Sequence, residues 1–168
     1  MSENPMKQIR IEKVTLNIGC GDDKQKIENA RKFLEKLTQV KPVITVSKTR
    51  STFGIAKGKP LGVKVTLRNG GAEQFFNSVL KSFDNKVKQD QIDNSGNLSF
   101  GVKEYIDLPN VKYMPEIGML GMDVAVTLER PGYHVKRRRI KKAIIGKTHR
   151  INKEDITNWL QQRGVKVE

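Results

Sequence analysis

A single cysteine, Cys20, stands among the 168 residues, which excludes an internal disulfide and fits a reducing, cytoplasmic compartment. No run approaches the ~18 consecutive apolar residues of a membrane-spanning helix, so no membrane partner is expected. The N-terminal MSENPMKQIR lacks the apolar stretch of a secretory signal. Histidine is scarce too. His134 and His149 sit in a cationic segment without a nearby cysteine or carboxylate, where the local field opposes a metal cation. Paired carboxylates occur only as Asp22-Asp23 and Glu154-Asp155, both natural helix starts.

Acidic residues are missing from two long windows. Residues 36–72 carry eight Lys/Arg and no Asp or Glu; residues 130–153 carry ten and none. The other 107 residues hold 14 bases against 18 acids, so the net charge of +14 resides in two cationic segments on a slightly acidic body. Such a surface repels itself unless phosphate neutralises it, the footprint of a nucleic-acid binder. Within the first window, VSKTRSTFGIAKGKPLGVKVTLR (46–68) joins six Lys/Arg, three glycines and one aromatic beside two good strands.

What is present reads as an ordinary core. Ile9–Ile18 alternates as a strand, with a phase slip near Glu12-Lys13 that suggests a bulge. GCGDDK turns into a helix capped by Asp22 or Asp23, with Ile27, Ala30, Phe33, Leu34 and Leu37 on one side and Pro42 ending it. VITV and GVKVTLR are strands; Gly70-Gly71 turns into a second helix striped by Phe75, Phe76, Val79, Leu80 and Phe83. Residues 84–97 read as a polar loop, LSFGVKEYI and DVAVTLE as strands, and the Pro/Gly-interrupted LPNVKYMPEIGML as irregular. The order β-α-β-β-α-β-β predicts an α+β fold of split βαβ type. Two helices cover one face of a largely antiparallel sheet. Residues 1–133 form one domain, including a basic loop at 47–61. Residues 134–168 are a basic extension whose short helix, capped by Asn152 and stopped by Gly164, is anchored by Ile156, Trp159 and Leu160.

Enzyme signatures are thin. NIGCGDDK resembles a dinucleotide turn, but Lys24 stands at the third glycine position, and a tight turn accounts for Gly19 and Gly21. Cys20 at a helix start has no histidine partner to make it a working thiolate. No catalytic residue, metal, cofactor or small-molecule substrate is expected. The sheet face opposite the helices is more informative. It presents Thr15, Asn17, Lys64, Thr66 and Arg68, hydroxyls and an amide for sugar and base edges and cations for phosphates. The topology suggests an RNA-recognition motif, yet GVKVTLR offers no aromatic for stacking, which favours structured RNA over single strands.

VTLNIGCG, KPVITVSKTR, FGIAKGKPLGVKVTLR, NLSFGVKEYI and GMLGMDVAVTL together resemble the large-subunit ribosomal protein five family, over roughly residues 6–150. The resemblance implies a non-catalytic, ribosome-bound protein that attaches 5S rRNA in the central protuberance, beside large-subunit 23S-type rRNA and neighbouring ribosomal proteins. It implies that Asn17 and Thr66 meet 5S rRNA, with Thr15, Lys41, Thr45, Lys64 and Arg68 around them. Where the family has Gln before Lys-Pro, this chain has Val40, with Gln39 one place earlier. The loop is implied to reach P-site tRNA through Lys48, Thr49, Arg50, Ser51, Phe53, Gly54, Lys57, Gly58 and Lys59. Further rRNA contacts are expected from Lys136, Arg137, Arg138, Arg139, Lys141, Lys142, Lys147 and Arg150. The competing readings are a free-standing structured-RNA chaperone or regulator, and a nucleotide-dependent enzyme built on the GCG turn. One long basic finger on a rigid core favours the fixed ribosomal site.

Overall fold

The alternation at the N-terminus produces strand β1 (Arg10–Gly19), and its phase slip is real: Ile11 and Val14 are both buried, with Glu12 and Lys13 half-exposed between them. The computed structural model describes residues 4–52, 54–109 and 111–167. After β1 come helix α1 (Lys24–Thr38) and strands β2 (Val43–Val46) and β3 (Pro60–Leu67). Helix α2 (Asn69–Ser82) and strands β4 (Lys86–Val87), β5 (Asn97–Val102) and β6 (Met122–Glu129) follow. Helices α3 (His134–Arg137) and α4 (Lys153–Gln162) and strand β7 (Lys166–Val167) complete the order. Neighbours in the five-stranded sheet run β2-β3-β1-β6-β5. The fold is α+β, a largely antiparallel sheet with helices packed on it and a basic helical extension at the C-terminal end.

The chain forms two compact units. One comprises Thr15–Leu67 and Phe100–Val124. Here α1 begins where the Asp23 carboxylate accepts hydrogen bonds from the backbone N–H groups of Gln25 (3.0 Å) and Lys26 (3.3 Å). It ends before Pro42, because Gln39 takes a left-handed conformation and its N–H donates to the Glu35 carbonyl. Ile27, Ala30, Phe33 and Leu34 are buried where α1 packs on β3, and Leu16, Ile18, Val63 and Val65 are buried too, each contributing about 1.5–3 kcal/mol where a large apolar side chain is fully buried. Phe33 packs on buried Tyr105 at 4.7 Å between ring centroids. The Tyr105 hydroxyl accepts from the Met114 N–H (3.0 Å), and Asn29 donates to the Glu116 carbonyl (3.1 Å). These bonds hold the irregular segment that the prolines foretold.

The other unit comprises the chain up to Val14, Arg68–Ser99 and the chain from Ala125. The Gly70-Gly71 turn of the sequence reading lies inside α2. Asn69, at a φ of 54°, makes the turn instead, leaving the glycines in the exposed first helical turn, where most of their N–H groups need no intrahelical partner. Ala72, Phe76, Val79 and Leu80 form the buried stripe, and Phe75 and Phe83 are half-buried. Residues 84–97, polar enough to suggest a loop, include β4, which pairs in parallel with β7. α4 is held as its residues foretold: Ile156, Trp159 and Leu160 are buried, and the Asn152 N–H donates to the Asp155 carboxylate. Trp159 stacks near Phe76 with centroids 5.9 Å apart, donates from Nε1 to the Ile9 carbonyl (3.2 Å), and lies under the Arg163 guanidinium.

Candidate nucleic-acid interface

Strand period places the polar residues of the first unit. In β3, Val63, Val65 and Leu67 are buried while Lys64 and Thr66 are exposed; in β1, Leu16 and Ile18 are buried while Thr15 and Asn17 are half-exposed. Because α1 packs on β3, the exposed set lies on the opposite face. β2 extends it: Val43 pairs with Lys64 and Thr45 with Gly62. Gly62 is required there by close approach. A Cβ at that position would lie 2.4 Å from the Ile18 carbonyl oxygen and 3.3 Å from the Thr45 hydroxyl. The three strands thus present Thr15, Asn17, Thr45, Lys64 and Thr66 on one surface, with no aromatic. Val43, exposed and paired with Lys64, adds an apolar margin that the sequence reading did not select. Lys41, Gln39 and Val40 are exposed just before β2.

The loop between β2 and β3 is a structured hairpin extension. The Ser47 N–H donates to the Lys59 carbonyl (2.8 Å), the Gly58 N–H returns to the Ser47 carbonyl (2.9 Å), and the Ser51 N–H donates to the Ile55 carbonyl (3.0 Å). Gly54 and Gly58 adopt φ values of 81° and 85°, which only glycine takes at little cost. Lys48, Thr49, Arg50 and Lys57 are exposed and Ser51 is half-buried. Lys59 is engaged: its Nζ pairs with Asp22, tying the loop base to the turn before α1. Since β3 begins at Pro60, the loop is two residues shorter than the 47–61 read from the sequence. Phe53 lies outside the described residues.

In the second unit, Arg68 is the residue before α2 and its guanidinium stands 3.6 Å from the Glu12 carboxylate. Arg137 bridges Glu12 and Glu129, and Arg10 also pairs with Glu129 (2.8 Å). Both carboxylates are nearly buried, so Arg137 helps neutralise the interior end of β1 and β6 as well as facing solvent. Lys136, Arg139, Lys141, Lys142, Lys147 and Arg150 are exposed; Arg138 is half-buried and donates from Nε to the Lys141 carbonyl (2.6 Å). The sequence reading missed Arg130. It is 8% exposed, pairs with Asp155 at 3.0 Å and donates to the Arg150 carbonyl (3.2 Å), fastening the extension. Its charge was visible in the sequence; its burial was not.

Other chemistry is muted. Burial, reinforced by the Asp23 carboxylate and opposed by Lys26, pushes the Cys20 thiol above its ordinary pKa, the reverse of an activated thiolate. His149 Nε2 lies 2.8 Å from the Pro131 carbonyl, an internal contact. Among the described residues no group of His, Cys, Asp and Glu could hold a metal ion, and no helix is long and apolar enough to cross a membrane.

An α+β sheet with an aromatic-free polar face, a glycine-hinged cationic hairpin and a clamped basic extension defines a class: basic domains shaped for a phosphate polyanion. Residues 4–55 match the family model for ribosomal protein L5, and residues 60–157 match that for the ribosomal L5P family C-terminus. The chain belongs to the ribosomal protein L5 family, in its archaeal branch. It is 50% identical over 161 residues to the large ribosomal subunit protein uL5 of Sulfurisphaera tokodaii, covering 95% of this chain and 91% of that one. The uL5 of Nanoarchaeum equitans is 47% identical, covering 98% and 99%. That of Archaeoglobus fulgidus is 45% identical, covering 99% and 94%.

Proposed function

We propose that this protein binds 5S rRNA through the sheet face opposite α1 and attaches it to the large ribosomal subunit in the central protuberance. The observation that carries this reading is the convergence of Thr15, Asn17, Thr45, Lys64 and Thr66 on three adjacent strands. Hydroxyls and an amide at strand spacing suit 2′-OH groups and base edges of structured RNA, and Lys64 suits a phosphate. The hairpin at 47–59 reaches P-site tRNA, with Arg50, Lys57 and Lys48 as its phosphate contacts. The exposed cations of the extension meet large-subunit rRNA, and neighbouring ribosomal proteins of the central protuberance complete the setting. The protein works as a scaffold in the cytoplasm, bound to the ribosome.

The test is a titration of 5S rRNA at several salt concentrations. About six phosphate contacts give a log–log slope of roughly −4 to −5. A nearly flat dependence would assign the cationic segments to something other than phosphate.

A further inference from the structure

We propose that the basic extension holds a pocket for one unstacked nucleotide, its base lying against Tyr133 and its phosphate held by Lys142 and Arg150. This rests on the reading above, that the extension meets RNA, and goes beyond it in naming a site and a ligand.

A cavity of about 620 Å³ opens between the turn at Asn94 and the segment 142–145, within the range of small-ligand sites. Its walls are fixed although they belong to no long helix or strand. The Ala143 N–H donates to the Val135 carbonyl (3.2 Å), and Arg150 Nε donates to the Ile145 carbonyl (3.2 Å). Tyr133 is locked from both sides: its hydroxyl donates to the His149 carbonyl (3.3 Å) and accepts from the Ile151 N–H (3.0 Å). The ring is therefore a stacking platform that loses little freedom when a base lands on it.

The chemistry of the lining is that of a nucleotide. Lys136, Lys142 and Arg150 border the cavity with no carboxylate in its lining, and neither lysine has an ion-pair partner among the described residues. Ile144 is 84% exposed beside them, an apolar surface that a base can cover. Asn94 offers an amide donor and acceptor for a base edge. An acidic peptide would satisfy the cations but would leave the locked aromatic ring and the amide without matched partners. A base stacked within a duplex cannot enter such a cavity, so the ligand is a looped-out or extruded nucleotide.

The test uses the full chain with isotope-labelled isoleucine methyl groups, titrated with each of the four nucleoside 5′-monophosphates and, separately, with ribose 5-phosphate. The pocket predicts upfield ring-current shifts of the Ile144 and Ile145 methyl signals with mononucleotides and not with ribose 5-phosphate. Tyr133→Leu should weaken binding about tenfold, and Tyr133→Phe, which keeps the ring but loses both locking hydrogen bonds, should weaken it less. Ile144→Ala, on an exposed side chain that does not endanger folding, should weaken it several-fold. Equal shifts with ribose 5-phosphate, or no shift with any of the four mononucleotides, would overturn the proposal. In purified large subunits, an ultraviolet crosslink from residues 143–151 to a single unpaired rRNA nucleotide is expected; crosslinks there only to paired segments would overturn it. The same samples are titrated with 5S rRNA. Unmoved methyl signals beside intact 5S rRNA binding defeat the pocket alone, whereas shifted signals beside absent 5S rRNA binding uphold the pocket and defeat the wider reading.

Discussion

Replacing Gly62 with alanine probes the sheet face at the point where its strands come closest. The added Cβ would sit 2.4 Å from the Ile18 carbonyl oxygen, a backbone atom that cannot rotate away. To reach even 3.0 Å the backbones must separate by about 0.6 Å, and overpacking of this kind costs roughly 1–3 kcal/mol. The same movement shifts Thr45, whose hydroxyl would be 3.3 Å from the new methyl, and so disturbs the surface assigned to RNA. Gly101 in β5 supplies the control, because a Cβ there meets nothing within 4 Å. Gly101→Ala is expected to be neutral or to stabilise by up to ~1 kcal/mol. Urea denaturation of both variants gives the stabilities, and a filter-binding titration gives the 5S rRNA affinities. An unchanged midpoint and affinity for Gly62→Ala would refute the close-approach reasoning.

Asn17→Ala with Thr66→Ala should weaken 5S rRNA binding by roughly 1–3 kcal/mol in a gel-shift titration while leaving the urea midpoint nearly unchanged, since both side chains lie outside the core. Replacing residues 49–57 by an Asn-Gly turn keeps the Ser47–Lys59 hydrogen bond and the Lys59–Asp22 pair. 5S rRNA binding should persist, whereas P-site tRNA should dissociate faster from reconstituted ribosomes. Arg130→Ala leaves Asp155 without its nearly buried partner and should cost roughly 2–4 kcal/mol in urea denaturation. Cys20 should react with iodoacetamide more slowly than free cysteine at neutral pH, and its rate should keep rising with pH after that of free cysteine has levelled off; rapid neutral alkylation would contradict that burial.

Elements with a strict period were legible from the residues. The alternation of Val63, Val65 and Leu67 with Lys64 and Thr66 fixed which face is polar, and Asp23 and Asn152 marked helix starts correctly. Short-range turn signals misled where tertiary packing decided. Gly70-Gly71 reads as a turn, yet the stripe from Ala72 to Leu80 pulls both glycines into α2, and Asn69 turns instead. Two-residue strands such as β4 and β7 carry no period, so their pairing was invisible. Partners distant in sequence were hidden for the same reason. Nothing local indicates that Arg137 meets Glu12 and Glu129, that Lys59 meets Asp22, or that Arg130 is buried against Asp155. Charge could be counted from the sequence; which cations are already engaged required the fold.

On the proposed function, 5S rRNA lies on the sheet face opposite α1. Ultraviolet crosslinking of the protein–5S rRNA complex, followed by mass spectrometry of the attached peptides, tests it most directly. Crosslinks are expected within residues 15–19, 43–46 and 62–68. Crosslinks to 5S rRNA confined to residues 134–150, with the sheet face untouched, would contradict it.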